Sequence, residues 1–265
     1  MKINRVILSS NESAKYLDFW PIVSKSWERF GIKPTLFFTG KEKYIEKNVI
    51  NLNLENVNTA FLAQNIRLLA PALFPEETCL ISDIDNMPLS EDYFTKSILN
   101  VSEDKFVIYR PDAVPNNMIS IMWNAAKGSV WSEIFNVYNL EDIKNTLQSW
   151  YPTEYSVNGK NWYHDQIILK KYVETFEQKN PERVLKLSDK ETGFRRLDRS
   201  NYTNTLKSIY QNQNFSDFHM PRPYSKNKLL INLIYYNFHS ERLKFLYKFT
   251  LLLYLSFKRF IKNLK

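Results

Sequence analysis

The first forty residues alternate a strand, a helix and a second strand, and that order restricts the fold more than any other feature of the chain. "RVILSS" (5–10) is a short apolar run of strand character. "NESAKYLDFWPIVSKSWERFG" (11–31) carries Tyr16, Phe19, Trp20, Val23 and Trp27 at helical spacing and closes on Gly31. "KPTLFFTG" (33–40) is again strand-like and turns at Gly40. Such a unit produces a parallel strand pair joined by a right-handed crossover. The alternation continues: "NTAFLAQNIRLLAPALFP" (58–75) reads as a helix that packs through Phe61, Ile66, Leu69 and Leu73 and leads into the strand "TCLISDID" (78–85). "KFVIYR" (105–110) and "MISIMWNAAKG" (118–128) read as further strands, with helices around 130–150 and in "WYHDQIILKKYVETF" (162–176). The pattern predicts an α/β domain with a mixed central sheet.

Five glycines in 265 residues leave no room for glycine-rich phosphate loops, and neither G-x-G-x-x-G nor G-K-[ST] occurs. A phosphate-bearing ligand must be held in another way. The single cysteine, Cys79, excludes an intrachain disulfide and a cysteine-based zinc cluster, and it points to a reducing compartment. The amino terminus, "MKINRVILSSNES", contains an apolar run too short for a signal peptide, so a cytoplasmic location is expected.

The stretch "CLISDIDNMPL" (79–89) sets two aspartates one residue apart where an apolar strand ends. If the strand continues, Asp83 and Asp85 point to one side and Ile84 points back into the protein. Neighbouring carboxylates repel unless a cation lies between them, and Mg²⁺ or Mn²⁺ suits two carboxylates, water and the phosphate oxygens of a substrate. The alternative is a pair of solvated loop acids.

The block "QNIRLLAPALFPEETCLISDIDNMPLSEDYF" (64–94) resembles the segment of GT-A glycosyltransferases, notably glycogenin and the bacterial lipooligosaccharide galactosyltransferases, in which an arginine-bearing helix precedes a strand ending in D-x-D. The resemblance implies a Rossmann-like GT-A domain. It also implies that Asp83 and Asp85 hold Mn²⁺ or Mg²⁺ on the diphosphate of a nucleotide-sugar and that Arg67 contacts the donor. "WYHDQIIL" (162–169) is similar to the family's segment beside the reacting sugar, which implies a catalytic position for Asp165 and a donor contact for Gln166. "DFHMPRPYSK" (217–226) resembles the late loop, where His219 would complete the metal shell and Arg222 or Lys226 would reach phosphate; the family's usual glycine and Lys-Pro-Trp ending are missing. "GFRRLDRSN" (193–201) gathers Arg195, Arg196 and Arg199 around one aspartate, a set suited to phosphate, with Arg196 taken as a donor contact.

Charge is unevenly distributed. Residues 221–265 carry ten Lys or Arg against the single acid Glu241, so this segment holds +9 of a chain whose net charge is +8. The uncharged run "FTLLLYLSF" is far short of the roughly 20 residues that span a bilayer. An amphipathic helix lying on an anionic membrane surface is expected instead. The expected organisation is a transferase domain over 1–228 and a basic helical tail over 229–265. Its partners would be a nucleotide-diphosphate sugar, a glycan or lipid-linked acceptor and the membrane surface, with no nucleic acid. Two rival readings remain at this level. A haloacid dehalogenase-type phosphatase also ends a strand in D-x-D, but wants Thr or Val where Met87 stands and usually places the motif on its first strand. A non-catalytic module would use the tail alone to grip membrane or nucleic acid.

Overall fold

The computed structural model describes residues 1–200, 214–240 and 244–263. Among the described residues ten strands form two sheets: β1 (Arg5–Ser10), β2 (Lys33–Phe38), β3 (Val49–Asn51), β4 (Thr78–Ile81), β5 (Asn86–Pro88), β6 (Phe106–Tyr109), β7 (Asn124–Lys127), β8 (Val184–Leu187), β9 (Arg195–Asp198) and β10 (Phe215–His219). The larger sheet runs in the order β3-β2-β1-β4-β7-β6-β8, with β1, β2, β3 and β4 mutually parallel and β7 antiparallel to both neighbours. A smaller sheet, β5-β10-β9, pairs β10 antiparallel to β5 and parallel to β9. The chain thus adopts the α/β, Rossmann-like arrangement with a mixed central sheet.

Strand alternation divides the core in two. Val6, Leu8, Leu36 and Leu80 face one layer, formed by α2 (Trp20–Arg29), the short α4 (Glu91–Thr95) and the helix Tyr224–His239. Ile7, Phe37, Cys79 and Ile81 face the other, formed by α3 (Thr59–Leu69), α5 (Gly128–Phe135), α6 (Leu140–Trp150) and α7 (His164–Lys179). Strands covered on both faces read as unbroken apolar runs, as "RVILSS" and "TCLI" do.

Several elements are shorter than their sequence patterns. The first helical stretch splits into α1 (Ala14–Leu17) and α2, which restarts at Trp20 with Pro21 in its first turn, where the missing N–H is not needed. The expected strand 118–128 forms only over Asn124–Lys127. β4 stops at Ile81, so Asp83 and Asp85 lie in a turn before β5 and not on a continuing strand; Ile84 is nevertheless buried.

The division expected after residue 228 falls inside the helix Tyr224–His239, because Leu230, Ile231, Leu233 and Ile234 are buried in the first core layer. His239 closes this helix with Nε2 at 2.9 Å from the carbonyl oxygen of Pro88. The last helix, Lys244–Asn263, adds Leu251 and Leu255 to the same layer while Phe249, Leu253 and Phe257, four residues apart, stay exposed along it. Among the described residues no helix is long and apolar enough to cross a membrane.

Candidate active site

The sheet order fixes where a ligand can sit. From β1 the chain proceeds outward to β2 and β3, then returns to lay β4 on the other flank of β1. The connections leave β1 and β4 in opposite directions and open a crevice at their carboxyl ends, the usual ligand position in such sheets. A cavity of about 400 Å³ lies there, lined by Ser9 and Ser10 from β1, by Asp83 and Asp85 after β4, and by residues from α1, α3, α7 and the ends of β9 and β10, among others.

Arg67 anchors its floor. The helix α3 begins at the Asn58 cap, whose side chain accepts from the N–H of Ala60 at 2.9 Å, and buries Phe61, Leu62 and Ile66 in the second core layer. Arg67, in its last turn, is carried under β4. Its guanidinium donates through Nη1 to Asp83 Oδ1 and pairs through Nη2 with Asp165 Oδ2 at 3.2 Å. Burial alone would lower the Arg67 pKa, but Asp83 and Asp165 outweigh it and raise it. Asp165 stands in the first turn of α7, 2 % exposed, and accepts from the N–H of Gln166 at 2.9 Å. Burial pushes its carboxyl up to about 6, against the pull of Arg67. Next to it, His164 is a supporting residue, its Nδ1 at 2.9 Å from Asn65 Oδ1 and its ring against Phe61.

Asp85 and His219 meet because β5 and β10 pair. His219 lies opposite Asn86, and the N–H of Met220 donates to the Asp85 carbonyl at 2.9 Å. The His219 ring donates Nδ1–H to Asp198 Oδ2 at 2.9 Å, which leaves Nε2 facing Asp85 Oδ2 at 3.6 Å. Burial would raise the Asp198 carboxyl, yet hydrogen bonds from Ser200 and His219 hold it well below its ordinary range. The same Asp85 oxygen accepts Arg199 Nη1 at 3.0 Å and has Arg222 Nε at 3.5 Å. Burial pushes Asp85 up, and His219, Arg222 and Arg199 together pull it below the carboxylate range. Arg222 also donates to the Tyr16 hydroxyl and lies over that ring, 4.9 Å from its centroid.

Seven expected residues therefore line one cavity: Arg67, Asp83, Asp85, Asp165, Gln166, His219 and Arg222. Two do not. Arg196 turns away to pair with Asp217 Oδ2 at 3.0 Å and to bond Asn86, and Lys226 is exposed in the first turn of its helix. The register of β9 explains the first case: Arg196 lies opposite Asp217, two residues before Asp198 reaches His219, and the cavity is met by Arg199 just past the strand end. Tyr16 and Trp162 also line it.

Two carboxylates and an imidazole whose other nitrogen is held by a carboxylate make a donor set suited to Mn²⁺ or Mg²⁺. Among the described residues no three such groups stand together at ligand distances; the acids face arginines.

No protein-family model matches the sequence, and no curated protein does. Solved structures of similar chain path include a glycosyltransferase involved in glycosylation of the major capsid of PBCV-1, 12% identical, with a TM-score of 0.45 over 87% of this chain and 99% of that one. The galactosyltransferase LgtC, in complex with donor and acceptor sugar analogs, is 11% identical with a TM-score of 0.43 over 83% of this chain and 87% of its own. The glycosyltransferase GlyE of Streptococcus pneumoniae TIGR4 is 10% identical with a TM-score of 0.48 over 93% of this chain and 62% of its own. Likeness at this level concerns chain path alone; chemistry is assigned by the residues of the cavity.

Proposed function

We propose that the chain is a metal-dependent glycosyltransferase of the GT-A type, moving a sugar from a nucleotide-diphosphate donor to a glycan or lipid-linked acceptor. The observation that carries this reading is the convergence of Asp83, Asp85 and His219 with Arg67, Arg199 and Arg222 in one cavity at the switch point between β1 and β4. When the bond between sugar and phosphate breaks, negative charge develops on the departing nucleoside diphosphate, and a bound Mn²⁺ or Mg²⁺ supplies Lewis acidity that stabilises it. Asp83, Asp85 and His219 would hold such an ion, with His219 oriented by Asp198.

The remaining roles follow from charge and position. Arg199 and Arg222 offer guanidinium forks to the diphosphate oxygens. Arg67 keeps Asp83 and Asp165 in register across the floor. Asp165, ionised above about pH 6, stabilises the positive charge that grows on the sugar ring, and Gln166 orients the sugar.

The tail belongs to the same proposal. The exposed stripe of Phe249, Leu253 and Phe257, within a segment carrying ten basic residues and one acid, suits the headgroup boundary of an anionic membrane on the cytoplasmic side. A lipid-linked acceptor is presented at such a surface.

Calorimetric titration with UDP, GDP, CDP and dTDP, with and without Mn²⁺, tests the site: one nucleotide is expected to bind only when the ion is present. If none binds with either Mn²⁺ or Mg²⁺, the reading is wrong. Replacing Phe249, Leu253 and Phe257 by serine is expected to abolish sedimentation with phosphatidylserine vesicles and leave nucleotide binding intact.

A further inference from the structure

One oxygen of Asp85 carries an unusual load. Arg199 Nη1 at 3.0 Å, Arg222 Nε at 3.5 Å and His219 Nε2 at 3.6 Å all converge on Oδ2. A divalent cation on the same oxygen would stand next to two guanidinium groups with no anion between them, so the ion and the arginines exclude one another there. The two arginines are not equivalent. Arg222 has a second hold on the hydroxyl and ring of Tyr16, whereas the ion pair of Arg199 among the described residues is with Asp85.

We propose that Arg199, assisted by Arg222, is a resident counterion of Asp85 that is exchanged for the metal and passes to the diphosphate of the donor. This inference rests on the glycosyltransferase reading and adds to it an order of events. In the nucleotide-free protein the arginines neutralise Asp85 and oppose metal binding. A nucleoside diphosphate provides the acceptor oxygens that draw them off, and the freed carboxylate takes the ion. Metal and nucleotide therefore bind with positive coupling, each strengthening the other by the same factor. Arg199 is a positioning residue for the metal and a binding residue for the donor, two roles of opposite sign in the two titrations.

That opposition supplies the test. Free Mn²⁺ is followed by electron paramagnetic resonance as it is titrated into the full-length protein, alone and with UDP, GDP, CDP or dTDP in turn. For wild type, the nucleotide that binds is expected to tighten Mn²⁺ by about tenfold or more. Arg199→Gln is expected to bind Mn²⁺ about tenfold more tightly than wild type without nucleotide, to bind the nucleotide more weakly at saturating Mn²⁺, and to lose most of the coupling. Arg222→Gln is expected to shift in the same directions by less, and it serves if the first variant does not fold by circular dichroism. If wild type binds both ligands but neither variant binds Mn²⁺ more tightly, the counterion exchange is wrong and the glycosyltransferase reading stands. If wild type binds neither Mn²⁺ nor any of the nucleotides, both fall together.

Discussion

The protein buries two clusters of arginine and carboxylate, and only one of them opens on a cavity. In the first, Arg67, Arg199 and Arg222 surround Asp83, Asp85 and Asp165 at the end of β4. In the second, Arg110 donates to Asp217 at 3.0 Å, to Asp189 at 2.7 Å and to Ser216 Oγ at 2.8 Å, while Arg196 closes on the other oxygen of Asp217. Arg110 takes a φ of 55°, a left-handed backbone uncommon for arginine, and three side-chain bonds hold it there. This second cluster joins the end of β6 to β10 and to the short helix α8 (Asp189–Thr192), and it lines neither the site cavity nor the groove between α5 and α7. Both pair arginines with acids, but Arg199 and Arg222 keep 27% and 22% of their side-chain surface exposed where Arg110 keeps 5%. The first presents its carboxylates and cations to a space a ligand can enter, and the second pairs them with one another away from any such space.

If that distinction is right, damage to the two clusters reads out differently. The largest effect is expected for Asp217→Asn, which leaves two buried arginines facing a neutral side chain and removes about 3–5 kcal/mol of stability. Urea denaturation measures it, and the folded fraction should bind nucleotide with wild-type affinity. Asp85→Asn is expected to do the reverse: donor hydrolysis drops by about 10²–10³, with an unfolding midpoint close to wild type. An unfolding midpoint that collapses in this variant, with binding preserved, would merge the two clusters into one structural feature.

Asp165 sharpens the contrast through pH. Its folded pKa of about 6 lies above the unfolded value of about 3.9, so the native state holds the extra proton between these limits. Stability from this group is full below about pH 4 and is lost as pH rises through 6. Relative to Asp165→Asn, wild type should therefore lose on the order of 2 kcal/mol between pH 4 and 6.5, measured as the difference between two denaturation series. A flat difference would mean that Arg67 keeps Asp165 ionised throughout. The smallest effect is expected from Ser216→Ala, which removes one hydroxyl from the closed cluster, bonded to Arg110 at 2.8 Å and to Asp217 at 2.7 Å, and costs about 1–2 kcal/mol without altering nucleotide affinity.

Much of this architecture is written in local patterns. Apolar runs flanking amphipathic helices announce β1, β2, β4 and β6, and the Asp83/Asp85 pair marks the cavity because like charges so near one another need a cation. The smaller sheet is harder to read. β5 is three residues long, and its partner β10 lies more than a hundred residues away, so no local periodicity reports their pairing. The resemblance of "DFHMPRPYSK" pointed to His219 and Arg222, but not to the reason they arrive at Asp85. The arginine-rich stretch 195–199 shows the limit most clearly: composition marks it as anion-binding, yet only the register of β9 decides that Arg196 serves Asp217 and Arg199 serves Asp85. The tail posed a similar problem, since Leu230 to Tyr235 look as suited to lipid as to protein until the first core layer claims them.

The antiparallel seat of β10 on β5 also bears on protein synthesis. Asp83 and Asp85 leave the ribosome long before Phe215–His219, and until that strand arrives β5 has no partner and Asp85 has no imidazole. A nascent chain therefore carries an acidic turn without His219 or Arg222, and acquires both only when residues 215–222 have emerged. The timing of translation thus completes the cavity only after β10 has been made.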